Sequence, residues 1–202
     1  MTLPFTAVVI NLKSRKDRLL AMHVHLRQVH HMSATRFEAL TGEQASLEEV
    51  GEVWDSTINC MFDEKTVPAI LKMSSGERGC AASHVCIWRA VASCPLDAPP
   101  LLVLEDDVML RQGAIPWSAA TVEAIHRALP PEQRSLLLYL GAHVAFWRDG
   151  ARATQEENRP ATGGDARSPV LREAAYLWYT SSYFLWPAAA RILVANLPVE
   201  AP

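Results

Sequence analysis

The chain has 202 residues and a mass of 22.3 kDa, which is a typical size for one folded domain. Half of its residues are hydrophobic and 20% are charged, a balance that excludes an intrinsically disordered chain. The formal net charge of −3 argues against a protein whose main task is to bind nucleic acid through its phosphates.

The first part of the chain predicts a buried strand followed by a helix. Residues 6–12 form a β-branched apolar run of strand length. Ser14 is expected to cap the helix, with Asp17 completing a capping box. Four apolar side chains recur at helical spacing and are expected to face the core: Leu19, Met22, Leu26 and Val29. Residues 36–42 then predict a short strand closed by a glycine turn, and residues 43–73 predict short helices and loops.

Helices and strands alternate through the rest of the chain. Ser74 and Glu77 have the spacing of a capping box and open a helix that runs to about Ser93. Further strands are predicted at 101–104, 136–141 and 176–186, and further helices at 118–129 and 187–196. The polar, non-periodic stretch 147–170 predicts a loop or lid. The alternation predicts a single α/β domain over residues 1–202, with a mostly parallel central sheet flanked by helices.

The sequence carries no signal for export or membrane insertion. No apolar run approaches the roughly 20 residues that a bilayer span requires, and the N-terminus lacks a basic signal-peptide region. The four cysteines show neither paired metal-type spacing nor the density of a disulfide scaffold: Cys60, Cys80, Cys86 and Cys94. We therefore expect buried free thiols and a cytoplasmic protein without a transmembrane segment, with peripheral membrane contact left open.

Three consecutive carboxylates, those of Glu105, Asp106 and Asp107, follow a predicted buried strand. Ligands of open α/β sheets bind outside the carboxyl ends of the strands. Three like charges in a crevice repel one another, and a hard divalent cation such as Mn²⁺ or Mg²⁺ relieves that repulsion. Alternation along an extended backbone places Glu105 and Asp107 on one side and Asp106 on the other. A solvated acidic turn is the alternative interpretation of the triplet.

The helix that begins at Ser74 is the second candidate site. Four side chains share one of its faces at spacings of three and four: Glu77, Cys80, His84 and Trp88. Gly76 and Gly79 would let another backbone or a ligand approach the start of the helix, where free N–H groups favour an anion. A plain polar stripe, in which His84 only satisfies a neighbouring carbonyl, is the alternative.

A basic cluster follows the first strand, at residues 11–18. In a sheet of this type the first strand–helix turn borders the ligand crevice, and the guanidinium groups of Arg15 and Arg18 suit a diphosphate. A solvated first helical turn explains the cluster equally well. The same helix carries histidines that lack acidic partners at ligand spacing, so a surface or interface position is expected for them: His23, His25, His30 and His31.

In their order and spacing, these motifs resemble those of glycosyltransferase family 25, which includes bacterial lipooligosaccharide galactosyltransferases and procollagen galactosyltransferases. The matching segments are residues 9–12 with Arg15, Asp17 and Arg18, then residues 36–42, residues 76–84 with Trp88, residues 102–108 and residues 180–185. Each segment alone would be weak evidence, but the Gly-Glu-x-Gly-Cys helix paired with a Leu-Glu-Asp-Asp strand end is specific. The resemblance covers essentially the whole chain.

The resemblance implies a GT-A-type nucleotide-diphospho-sugar transferase fold. It also implies an inverting transfer of a sugar, usually galactose, from a UDP-sugar to a saccharide or glycoconjugate acceptor, as in lipopolysaccharide biosynthesis. Glu105, Asp106 and Asp107 match the acidic element with which the family would hold Mn²⁺ (or Mg²⁺) against the donor phosphates. Glu105 and Asp107 are assigned to the metal, and Asp106 is assigned to catalysis.

The resemblance also implies roles for residues outside the acidic triplet. Three residues would lie near the nucleotide: Asn11, Arg15 and Arg18. Ala39, Thr41 and Gly42 would lie near the uridine. Glu77 and His84 would line the same crevice. The segment 197–200 falls where the family often carries Pro-x-Asp. Glu200 is therefore predicted to be the general base that takes the acceptor proton, or an acceptor-site carboxylate.

Two interpretations from other classes stay open. A non-catalytic, glycosyltransferase-like binding module is favoured by the chain end at Pro202 and by Glu200 in place of an aspartate, whereas the intact acidic triplet speaks against it. A metal-dependent nucleotidyltransferase or phosphoesterase also uses strand-end carboxylates, but the sequence has no glycine-rich P-loop. The acceptor, the choice between galactose and glucose, and the oligomeric state are not determined by the sequence.

Overall fold

The computed structural model describes residues 2–45, 53–55, 70–72, 74–147 and 174–197. In chain order its elements are β1 (Thr6–Asn11), α1 (Lys16–His30), β2 (Thr35–Glu38), β3 (Val53–Asp55), β4 (Ile70–Lys72), α2 (Ser75–Ala92), β5 (Leu101–Glu105), α3 (Ala114–Ala128), a 3-10 turn (Pro131–Gln133), β6 (Leu137–Trp147), β7 (Ala174–Leu185) and α4 (Pro187–Ala195). Among these residues, no helix combines the length and the apolar character that a membrane span requires.

Five strands form the central sheet in the order β2-β1-β5-β7-β6. Strand β1 pairs in parallel with β2 and β5, whereas β7 pairs antiparallel with both β5 and β6. The mostly parallel sheet of the sequence prediction is thus confirmed for β2-β1-β5 and wrong for the β5-β7-β6 end. A parallel neighbour requires the chain to cross back to the starting edge, whereas β7 runs antiparallel to β6 beside it.

The two faces of the sheet bury separate cores because alternate strand residues point to opposite sides. On one face the core is formed with α1 and α3, by residues that include Val9, Met22, Leu26, Leu104, Ile115, Val122 and Phe184. On the other face it is formed with α2 and α4, by residues that include Val8, Ile10, Ile87, Val91, Val103, Leu185 and Ala190. The chain is therefore an α/β domain with helices on both faces of a mixed sheet.

The short strands β3 and β4 correct the prediction of helices and loops for residues 43–73. They form a separate antiparallel pair, with Trp54 opposite Leu71. Val53, Trp54 and Ile70 are residue types that favour extended structure. In the remainder of the chain, the predicted elements are present with shifted ends, since α3 begins at Ala114 and β6 continues to Trp147.

The two predicted capping boxes have different outcomes. The Ser74 side chain accepts from the Glu77 N–H at 3.2 Å, and the Glu77 carboxylate accepts from the Ser74 N–H at 2.6 Å, so the α2 box is confirmed. Ser14 is not the cap of α1, because Arg15 occupies the N-cap position and makes no side-chain cap bond. The Asp17 carboxylate accepts two hydrogen bonds from the Arg15 guanidinium, at 2.8 and 3.1 Å, and these hold its pKa at about 2.

The histidines of α1 do not all lie at the surface. His30 is buried, and its Nε2 lies 3.1 Å from the Leu110 carbonyl oxygen, which also has His25 Nε2 at 3.0 Å. Val29 is exposed, so its predicted core position is wrong. Because position 30, four residues after Leu26, continues the buried face of α1, the histidine and not the valine packs inward. These contacts tie the segment that follows β5 to the end of α1.

The carboxyl ends of the parallel strands meet at one edge of the sheet. Ser182 of β7 pairs with both Leu104 and Gly141, so the rest of the β6–β7 ribbon continues beyond the end of β5 at that same edge. Apart from Trp147, the predicted loop or lid at 147–170 lies outside the described residues.

Truncation of a core side chain tests this packing. We expect Leu104→Ala to lower the free energy of unfolding by about 2–5 kcal/mol, because a fully buried leucine at the sheet centre leaves a cavity. Leu20→Ala is the matched control, since Leu20 is 66% exposed on α1 and its loss is expected to change stability by less than about 0.5 kcal/mol. Urea denaturation measures both, and equal losses would contradict the assigned core.

Candidate functional site

A cleft of about 380 Å³ opens at the carboxyl edge of the sheet. Four segments line it: the turn and first helical turn after β1, the loop 39–42 after β2, the first turns of α2 and the acidic end of β5. The three motifs that the sequence singled out separately therefore border one cavity. This position agrees with the general rule that ligands of such sheets bind beyond the strand ends.

Asp106 is held in place from the side of β1 and α1. Its Oδ2 accepts from Asn11 Nδ2 at 2.7 Å, and its Oδ1 accepts from Arg18 Nη1 at 3.1 Å. Asn11 is itself buried at the end of β1 and also donates to the Arg15 carbonyl at 2.8 Å, while Arg36 Nε donates to the Asn11 Oδ1 at 3.1 Å. The Asp106 carboxylate, only 11% exposed, thus has a fixed orientation.

Asp107 is more accessible than Asp106 and binds the same guanidinium group, that of Arg18. Its Oδ2 accepts from Arg18 Nη1 at 3.1 Å, and its side chain is 57% exposed. One guanidinium therefore bridges two neighbouring carboxylates. An exposed ion pair of this kind contributes little stability, so the Asp107 carboxylate can exchange partners when a ligand or cation enters the cleft.

Glu105 lies on the α2 side of the cleft. It is the last residue of β5, and its Oε1 is 3.3 Å from the His84 Nε2 with 28% of the side chain exposed. The strand alternation used in the sequence prediction ends here, because Asp106 and Asp107 belong to the following turn. All three carboxylates border the cleft, with Asp106 and Asp107 joined through Arg18 and Glu105 beside α2.

His84 connects Glu105 to a buried tyrosine on β7. His84 Nδ1 lies 2.7 Å from the Tyr183 hydroxyl, which also accepts from Trp88 Nε1 at 3.0 Å. Burial raises the pKa of Tyr183, so its phenol stays protonated. The imidazole lies just behind the cleft lining, where it orients Glu105.

Cys80 stands one helical turn before His84, on the cleft wall. The sequence predicts buried free thiols, but Cys80 is exposed, whereas Cys86 and Cys94 are half-buried cysteines that are not in disulfides; Cys60 lies outside the described residues. Although the residue as a whole is exposed, its thiol is partly desolvated, and this desolvation, together with the nearby carboxylates of Glu105 and Asp107, raises the pKa of Cys80 to about 11. The thiol is therefore protonated at neutral pH and is not an activated nucleophile.

The loop 39–42 is fastened to α2 by close backbone contact. Ser83 Oγ accepts from the Leu40 N–H at 2.9 Å and donates to the Gly79 carbonyl at 2.7 Å. A Cβ atom at Gly79 would lie 2.6 Å from the Leu40 carbonyl oxygen, and one at Gly42 would overlap the Ser75 backbone. The expected close approach of another backbone is confirmed at Gly79.

Some of the remaining predicted site residues line the cleft, and others do not. Arg15, Ala39 and Thr41 line the cleft, as does Gly42. Glu77 is exposed, and its carboxylate closes the capping box of α2. Glu200 lies outside the described residues.

Sequence reasoning missed the contribution of Tyr183 and Arg36. Tyr183 reaches His84 across 99 positions of sequence, and Arg36 reaches Asn11 across 25. A tyrosine inside an apolar β-prone run gives no local signal of such a partner. Ser83, by contrast, follows Gly79 by one helical turn, and that spacing could have indicated a side chain beside the loop contact.

Adding a methyl group at Gly79 tests the contact between α2 and the loop. We expect Gly79→Ala to destabilise the protein, even though alanine favours helix, because the new Cβ has no room against the Leu40 carbonyl. Gly76→Ala is the control, since its Cβ would meet only the Ser74 Oγ at 4.0 Å. Thermal unfolding of both variants measures the change in stability. A Gly79→Ala protein as stable as the control would show that the loop 39–42 does not pack against α2 at Gly79.

Comparison with known proteins identifies the family of the chain. The sequence pattern of glycosyltransferase family 25, described as LPS biosynthesis protein, matches residues 5–199. A protein of Drosophila pseudoobscura pseudoobscura named "Glycosyltransferase 25 family member" is 27% identical over 192 residues, or 95% of this chain, which spans 27% of that relative's length. Because this match covers nearly the whole chain, the chain belongs to glycosyltransferase family 25.

Proposed function

We propose that the chain is an inverting glycosyltransferase with a GT-A-type fold, which moves galactose from a UDP-sugar to a saccharide or glycoconjugate acceptor with the help of a divalent cation. Family membership supports the coarser statement that it transfers a sugar. The observation that carries the finer proposal is the cleft, where the acidic end of β5 faces the basic first turn of α1.

The basic side of the cleft suits a diphosphate. Arg15 and Arg18 both line it, and Arg18 already binds two anionic groups through its Nη1. Cleavage of the bond between sugar and phosphate leaves negative charge on UDP, and fixed guanidinium groups stabilise that charge as it develops. Asp106, assigned to catalysis from the sequence, would act by holding Arg18 toward the donor.

The acidic side fits a hard divalent cation. Its donors are carboxylate oxygens, the ligands that Mn²⁺ and Mg²⁺ prefer, and those of Glu105 and Asp107 are accessible from the cleft. Glu105 and Asp107 would hold the cation. When bound, it would neutralise charge on the diphosphate leaving group.

The loop 39–42 suits the nucleoside part of the donor. Ala39, Thr41 and Gly42 line the cleft next to the apolar side chains of Ile10 and Leu12. Because Ser83 and Gly79 hold this loop against α2, its backbone groups are in place before a ligand arrives. We therefore assign the uridine to this end of the cleft and the diphosphate to the arginine end.

The assignment of the metal to Asp107 is tested with UDP and Mn²⁺. We expect Asp107→Ala to lose the gain in UDP affinity that Mn²⁺ gives, with Kd in Mn²⁺ rising at least about tenfold, because one of two proposed oxygen ligands is removed. Without Mn²⁺ the affinity should be equal or higher, because Arg18 loses a competing carboxylate. Calorimetric titration in both conditions measures the effect.

Asp97→Ala is the matched control for this variant. Asp97 is an exposed aspartate in the turn after α2 and is not among the residues that line the cleft. Its removal should leave both titrations unchanged. Wild-type affinity of Asp107→Ala for UDP in Mn²⁺ would contradict the metal assignment, provided that both variants unfold at the wild-type temperature.

Glu200 is proposed as the general base on its sequence pattern. Inversion proceeds by one displacement, in which the acceptor oxygen attacks the sugar as its proton passes to a carboxylate. We expect Glu200→Gln to lower kcat by at least about 100-fold with little change in donor KM, since general bases contribute about 10²–10⁴ to rate. Glu132→Gln, at an exposed position of the 3-10 turn, is the control. Equal turnover of the two variants would exclude Glu200 as the base.

A panel of UDP-sugars with and without Mn²⁺ tests the activity as a whole. The expected result is release of UDP in the presence of a saccharide acceptor, fastest with UDP-galactose. Binding of UDP without turnover would indicate a binding module instead. Release of pyrophosphate or free phosphate would indicate nucleotidyl transfer or phosphoester hydrolysis.

A further inference from the structure

We propose that Cys80, His84 and Glu105 form a zinc-binding site on the α2 wall of the cleft. It differs in ligand chemistry from the carboxylate site, because it joins sulfur, nitrogen and oxygen donors. That mixed set is typical of Zn²⁺, whereas Mn²⁺ and Mg²⁺ favour oxygen donors alone.

The ligands converge because of their places in the fold. Cys80 and His84 are four residues apart on α2 and therefore share a face, which packs beside the end of β5. One donor atom from each of these two side chains and one carboxylate oxygen of Glu105 all lie within 4.8 Å of one another. Three donor types from two elements thus surround one point at the cleft wall.

The distances are close to those of a tetrahedral site. Bond lengths of about 2.3 Å to sulfur and about 2.0–2.1 Å to nitrogen and oxygen imply separations of about 3.3–3.6 Å between ligand atoms. His84 Nε2 and Glu105 Oε1 are already 3.3 Å apart. The sulfur needs to approach by at most about 1.5 Å, since all three donor atoms already lie within 4.8 Å of one another.

The surroundings of His84 support a ligand role. The imidazole is buried, and its Nδ1 lies 2.7 Å from the Tyr183 hydroxyl. With Nε2 on zinc, the Nδ1–H would donate to that hydroxyl oxygen, which accepts from Trp88 through its second lone pair. Metal-bound histidines commonly have such a partner, which fixes the tautomer and the ring orientation.

Zinc binding involves no redox step. The zinc–sulfur bond forms as the Cys80 Sγ loses its proton to water, and the zinc–nitrogen bond forms from the lone pair of a neutral imidazole at His84 Nε2, with the ring proton on Nδ1. Three protein ligands leave a fourth position open toward the cleft for water or an anion. Glu105 would then be a zinc ligand and could not hold Mn²⁺ at the same time. If the proposed function is correct, zinc binding would therefore compete with Mn²⁺-dependent donor binding.

Titration of the reduced chain of residues 1–202 with Co²⁺ alone tests the site itself. We expect one equivalent of Co²⁺ to give a thiolate-to-cobalt charge-transfer band together with tetrahedral visible bands, and added Zn²⁺ to abolish both. Cys80→Ser should lose the charge-transfer band and bind Zn²⁺ at least about 100-fold more weakly, since even the loss of a supporting partner costs about 10–100-fold. Cys94→Ser, whose thiol donates to the Ala90 carbonyl, is the control and should retain both properties.

Two results would overturn the proposal. One is the absence of the charge-transfer band from the wild-type chain, and the other is its persistence in Cys80→Ser. Thermal unfolding with and without Zn²⁺ gives an independent readout, since binding to the folded state should raise Tm for the wild type and Cys94→Ser only.

Competition is measured separately, so that the two proposals can fail independently. Zn²⁺ should weaken Mn²⁺-supported UDP binding in the wild type and have less effect in Cys80→Ser. A cobalt band without any UDP binding would contradict the proposed function and leave the zinc site standing. UDP binding without a cobalt band would contradict the zinc site and leave the proposed function standing.

Discussion

Repulsion among the three carboxylates at the end of β5 is the constraint around which the cleft is organised. Each carboxylate has a different set of partners among the described residues: Asp106 is bound by Asn11 and Arg18, Asp107 by Arg18, and Glu105 lies against His84. These partners come from β1, α1 and α2, on both sides of the sheet edge. The acidic turn can persist at the edge of a folded core because the packing of those elements delivers positive and hydrogen-bonding groups to it.

Helix α2 couples the core to the cleft. Its apolar face packs on the sheet through Ile87 and Val91, while its first turns contact the loop 39–42 through Gly79 and Ser83. The cleft wall is therefore built on a rigid element, which limits the ordering that a ligand must impose. The same helix presents Cys80 to the cavity, so one rigid wall can carry two kinds of chemistry.

Strand β7, which runs antiparallel to β5, contacts the cleft wall from inside the sheet. Tyr183 lies in the middle of the sheet, next to β5, and its hydroxyl reaches His84 on the helix above. A buried hydroxyl needs partners, and Trp88 and His84 supply them. The sheet interior thus sets the orientation of an imidazole, and through it that of Glu105.

The sequence alone determined the features that depend on near neighbours. Apolar periodicity placed the strands and helices outside residues 43–73, the Ser74–Glu77 spacing predicted the α2 cap, and the order of the motifs indicated the family. Tertiary structure decided what depends on distant partners. It reversed β7, turned His30 inward, left Ser14 without a capping role and joined Asn11 to Asp106 across 95 positions. A local pattern records the preferences of adjacent residues, whereas pairing between remote residues is fixed only when the elements pack.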